Sequence, residues 1–127
     1  MKRKTRFLFV AFVGITCLYS CTKDRTALPP AVNCTGVVDS VNTYNLNIKN
    51  ILTNECAYAP CHGGGTFQGG VELDSYTSAV TAFESQNVIC AITSTTCGGI
   101  MMPDGLRPLD SVTIQQFKCW QQNGYPQ

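Results

Sequence analysis

The sequence predicts an all-α fold of three to four short helices joined by long loops and stapled by disulfides. Three observations predict it. Apolar residues recur at spacings of three and four in separate segments, no stretch alternates apolar with polar residues as a strand does, and the six cysteines from Cys34 onward are an even number. A chain of 127 residues, 44% hydrophobic, is long enough for one modest domain.

Tyr44, Ile48, Ile51 and Leu52 share one helical face, so a first short helix is expected to end near Cys56. Residues 63–70 carry five glycines, which makes an ordered helix entropically costly, and they are expected to form a loop. A second helix is expected over Ser75 to Ser85, with Tyr76, Val80 and Phe83 on one face and Ser75 as N-cap. The last helix is the clearest. Asp110 or Ser111 caps it, Ile114, Phe117 and Trp120 recur every three residues, and Gly124 stops it. No internal repeat is visible, and loops this long need something to organise them, either disulfides or a cofactor.

The charge balance excludes one class of partner. The formal net charge is +1, but Lys2, Arg3, Lys4 and Arg6 supply four of the nine basic residues, leaving five against eight acidic ones, a net of −3. No basic surface for nucleic acid remains. The basic head runs into an apolar stretch from Phe7 to Tyr19, which is signal-peptide architecture and too short to span a bilayer. Leu18-Tyr19-Ser20-Cys21 resembles the bacterial lipobox, so residues 1–20 are expected to be a lipoprotein signal peptide. Cys21 is then the lipidated N-terminus, with Cys17 the weaker rival, and residues 21–40 hold the anchor and linker. Residues 41–127 are the folded domain, tethered to a membrane rather than threaded through it. An exported chain with six further cysteines is expected to pair some of them.

The chemistry concentrates around the single histidine. His62 follows directly on Cys61 within Cys56-Ala-Tyr-Ala-Pro-Cys61-His62. Covalent haem attachment uses two thiols followed by His, because the thiols bond one porphyrin edge while the imidazole ligates the iron. The usual spacing is two residues; here it is four. With only one His, Met is the common remaining axial ligand, and Met101 and Met102 precede Pro103 about 40 residues on.

Taken in order, Asn47-Ile48-Lys49-Asn50-Ile51-Leu52, Cys56-x4-Cys61-His62-Gly63, Gly70-Val71-Glu72-Leu73-Asp74-Ser75-Tyr76, Met102-Pro103-Asp104-Gly105, Leu109, Ile114, Phe117, Trp120 and Gly124 resemble a small c-type cytochrome domain. The likeness is to the cytochrome-c-like lipoproteins of Bacteroidetes, related to planctomycete-type cytochrome c domains, and covers about Val41 to Gly124. It implies a small cytochrome-c-like fold, one covalent haem c and electron transfer rather than enzymatic turnover. Cys56 and Cys61 would form the thioethers, His62 the proximal ligand and Met102 the distal ligand to the haem iron. Pro103 would position the methionine loop, and Trp120 would lie in the terminal helix beside the haem. The implied location is the cell envelope, on an outer-membrane lipoprotein that is periplasmic or surface-facing, with an unidentified redox protein as partner.

Haem use of Cys56 and Cys61 leaves Cys34, Cys90, Cys97 and Cys119, which admit three pairings. The preferred one joins Cys90 to Cys97, closing the loop before the methionines, and Cys34 to Cys119, tying the start of the domain to the last helix. Other readings stand beside this. The alternative pairs Cys56 with Cys61 in a third disulfide, leaving a stapled surface lipoprotein without haem that acts as a binding or structural module. A zinc site on Cys56, Cys61 and His62 ranks third, lacking a fourth ligand. The glycines at 63–65 and 69–70 have no Lys-Ser or Lys-Thr after them, so they do not form a phosphate loop. The carboxylates, among them Glu55, Glu72, Asp74 and Glu84, show no pairing suited to acid–base work.

Overall fold

A threonine cap opens the folded part of the chain. The structure, a computed structural model, describes residues 31–97, 102–103 and 107–127. The leader, the lipidation position Cys21, most of the linker, Met101, Asp104 and Gly105 lie outside the described residues. Among the described residues there are four α-helices and no strand, so the fold is all-α as the periodicity predicts.

Thr43 Oγ1 accepts from the Leu46 amide, and a π-helical turn over Tyr44–Ile48 runs straight on into α1, Lys49–Glu55. Tyr44, Ile48 and Leu52, four residues apart, form its buried stripe, with Ile48 fully inaccessible. Asn42, buried just ahead of the cap, donates to the Gln116 carbonyl at 3.0 Å and accepts from Asn47 Nδ2 at 3.0 Å, so its burial leaves no polar atom unmatched.

Helix α2, Tyr76–Ser85, begins with a reciprocal capping box in which Ser75 Oγ accepts from the Ser78 amide and Ser78 Oγ from the Ser75 amide. Its fully buried residues are Ala79, Ala82 and Phe83, while Tyr76 and Val80 are half-buried at the margin of the core. The face is therefore rotated from the one the large residues suggested, because two small alanines sit innermost. A helix that the periodicity did not predict follows at once. Asn87 adopts a left-handed conformation (φ 52°) and turns the chain into α3, Val88–Thr93, which buries Val88 and Ile92.

Helix α4, Ser111–Gln122, is capped by Asp110, whose carboxylate accepts from the amides of Val112 and Thr113 and from the Thr113 hydroxyl. It buries Phe117, Cys119 and Trp120. Gly124 (φ 74°) then reverses the chain through a left-handed turn that an L side chain enters at a cost. The returning tail closes the molecule, since the Pro126 carbonyl accepts both from Trp120 Nε1 at 2.9 Å and from the Tyr44 amide at 2.8 Å.

Trp120 is the centre of the core. It stands edge-on to Phe83 and to Tyr125, with ring centroids 5.4 and 4.9 Å away, and tilted against Tyr44 at 6.1 Å. Such contacts add roughly 0.5–1.5 kcal/mol per pair beyond the area they bury. Two disulfides staple this small core: Cys34–Cys119 ties the segment before α1 to α4, and Cys90–Cys97 ties α3 to the short 3₁₀ turn Thr95–Cys97. No helix among the described residues is long and apolar enough to cross a membrane.

Candidate functional site

The site is built where α1 ends. The amides of Cys56 and Ala57 both donate to the Leu52 carbonyl, at 2.8 and 2.6 Å, which closes the helix and leaves Cys56 on its inner side, 8% exposed. The chain then reverses in a turn over Tyr58–Cys61, closed by the Cys61 amide on the Tyr58 carbonyl at 2.7 Å. Tyr58, Ala59 and Pro60 are exposed on this turn. The His62 amide returns to the Cys56 carbonyl at 3.1 Å. The two residues by which the motif exceeds the usual spacing are thus absorbed in an outward turn, and Cys56, Cys61 and His62 still line one cavity.

Gly63 is required by close approach. A Cβ there would run into the carbonyl of Ala57, so only glycine lets the chain pass over the start of the turn. Beyond it, the Gln68 amide donates to the Cys61 carbonyl and the Leu73 amide to the His62 carbonyl, holding the motif between two later segments. His62 Nδ1 lies 3.0 Å from the Val71 carbonyl. A carbonyl only accepts, so in the neutral ring Nδ1 carries the proton and Nε2 keeps its lone pair, the arrangement of a ligating imidazole.

The same cavity, about 330 Å³, is also lined by Met102 and Pro103. That volume is in the range of small-molecule sites, roughly 300–1,000 Å³. Met102 is held by its amide, which donates to the Ala91 carbonyl at 2.9 Å, one of the last carbonyls of α3 that find no partner inside the helix. The walls are mostly apolar, with Leu52, Leu73, Phe83, Ile92 and Phe117 drawn from all four helices and a loop, and Glu55, Gln68 and Gln86 also on the lining.

Cys56 and Cys61 are free thiols. Burial pushes the Cys56 thiol up to about 12, with Glu55 and then Cys61 adding to the rise. The exposed Tyr58 phenol is raised in turn, chiefly by its hydrogen bond with Cys61. Two thiols, an imidazole with one nitrogen pinned and a thioether line the one mostly apolar cavity and form a set of nitrogen and sulfur donors. Among the described residues no three His, Cys, Asp or Glu side chains converge as an ion site, which gives the zinc reading no support.

All four residues singled out around the histidine, Cys56, Cys61, His62 and Met102, line this one cavity. The contribution of α3 was not anticipated, although Val88-Ile89-Cys90-Ala91-Ile92 is an apolar run bounded by polar residues, the signal of a short buried element. The two backbone acceptors, the carbonyls of Val71 and Ala91, have no sequence signal at all, since every residue carries one. The chain matches no protein-family model, no curated protein and no solved structure.

Proposed function

We propose that the chain is a membrane-anchored electron carrier whose domain holds one covalent haem c. The observation that carries this reading is the convergence of Cys56, Cys61, His62 and Met102 on a single apolar cavity, with His62 Nδ1 tied to a carbonyl. The donor set fits the group in kind. Cys56 and Cys61 would supply the thioethers, His62 Nε2 and Met102 Sδ would ligate the iron, and Leu52, Phe83 and Phe117 would give the apolar wall. When bound, the haem supplies a one-electron couple, and a Met thioether among its ligands raises the potential.

The chain's own part is to orient and to exclude. The Val71 carbonyl fixes the imidazole tautomer, the Ala91 carbonyl holds the methionine backbone, and Leu52, Phe83 and Phe117 would limit the water that reaches the donors. With His62 and Met102 both given to the iron, the domain would carry electrons rather than turn over a substrate. The anchor at Cys21 would keep it in the cell envelope, as an outer-membrane lipoprotein within reach of a redox partner protein.

The test is a visible spectrum of the protein exported in a host with haem-c maturation machinery. Sharp reduced α and β bands are expected, and Met102→Ala is expected to retain the pigment, lower the reduction potential and admit imidazole. A colourless wild-type protein would overturn the reading in favour of a stapled binding or structural module.

A further inference from the structure

We infer that the Cys90–Cys97 disulfide is a redox-sensitive clamp that positions Met102. The inference rests on the reading of Met102 as a ligand, and it concerns what holds that residue in place. Met102 hangs on the fold through its amide bond to Ala91, and Ala91 is the neighbour of Cys90. Cys97, five positions before Met102, is covalently tied to Cys90. Met102 and Cys97 are therefore each fastened to α3.

That helix is a weak support on its own. It has six residues and no side-chain cap at its start, and a helix this short is marginal without outside constraints. Its Cys90 carbonyl takes the Ser94 amide and its Ala91 carbonyl takes Met102, so the disulfide closes the end of the helix to which Met102 is attached.

The clamp is also the accessible one of the two disulfides. Cys97 is exposed and Cys90 half-buried, whereas the other disulfide joins a half-buried Cys34 to a fully buried Cys119. A dithiol reductant reaches the Cys90–Cys97 bond first. It attacks one sulfur, gives up two electrons and two protons as it becomes a disulfide itself, and leaves Cys90 and Cys97 as thiols. The short loop then regains its freedom, and the Met102 amide bond opens more often.

Amide hydrogen exchange at Met102 in the full chain tests this. It is compared before and after dithiothreitol treatment mild enough to spare Cys34–Cys119, and in Cys90→Ser/Cys97→Ser. Release of a constraint of this loop length is expected to speed exchange at Met102 roughly ten- to fifty-fold, with the Phe117 amide in α4 unchanged. Unaltered exchange at Met102 overturns the clamp, and so does an equal rise at Phe117, which would make the disulfide a prop for the whole fold. Exchange is read with or without haem. A colourless protein would therefore fail the proposed function alone, and a pigmented protein with unaltered exchange would fail the clamp alone.

Discussion

Cys56 is where burial and chemistry meet most sharply. A thiol pushed up to about 12 is almost entirely protonated at neutral pH and is a poor nucleophile until something replaces its proton. Alkylation of Cys56 in the haem-free protein is expected to be slow at pH 8 and to accelerate as pH rises toward 12, which a pH series of iodoacetamide labelling with peptide mapping would read. The same shift has a stability consequence. The folded state holds the proton more tightly than the unfolded chain, so its contribution is complete below the ordinary thiol value of 9 and is lost as pH climbs toward 12. Gly63 gives a steric prediction at the same scale. Gly63→Ala must move the backbone of the turn away from the Ala57 carbonyl and is expected to cost about 1–3 kcal/mol, seen as a lowered thermal midpoint. Neither effect could be read from the sequence. The motif names the residues, but burial of one thiol and the approach of two backbones are properties of the closed turn.

Caps and staples decide what each helix can do. Asp110 is held below the usual carboxylate range by hydrogen bonds from the Thr113 amide and hydroxyl and from the Val112 amide. Its contribution to α4 is present above the ordinary Asp value and fades as pH falls through its lowered one. Asp110→Asn is therefore expected to flatten the acid limb of the stability profile, measured by urea unfolding between pH 2 and 6. The Cys34–Cys119 disulfide spans 85 residues, and on a chain-entropy account it stabilises the fold by roughly 4–5 kcal/mol. The double variant Cys34→Ser/Cys119→Ala should lose most of that in equilibrium unfolding; a loss below about 1 kcal/mol would show that the unfolded chain is not appreciably constrained by it. At this scale the sequence was most legible. Ser75 and Asp110 cap the helices they were expected to cap, and Tyr44, Ile48 and Leu52 form one stripe. Helix α3 was not legible because it has too few turns for a period and starts from a left-handed Asn rather than a capping side chain.

The whole molecule is organised by Trp120 and the cavity beside it. All four helices reach both this core and the cavity: α1 through Leu52, α2 through Phe83, α3 through Ile92 and α4 through Phe117. Trp120→Ala should thus remove both the aromatic contacts and the bond that holds the tail, costing about 3–5 kcal/mol and loosening the site along with the fold. Calorimetry would read the first effect and cysteine accessibility the second. The sequence names His62 and Met102, about 40 residues apart, as candidate ligands. What it could not supply was the wall between them, assembled from residues scattered over four helices and their loops. That wall gives the four donors one mostly apolar cavity, and the functional proposal depends on their holding one group together. The intact mass of the exported protein, unreduced, tests this most directly. One haem added to a chain short of four hydrogens, for two disulfides, is the predicted result; a haem-free mass short of six hydrogens, for three, would contradict it.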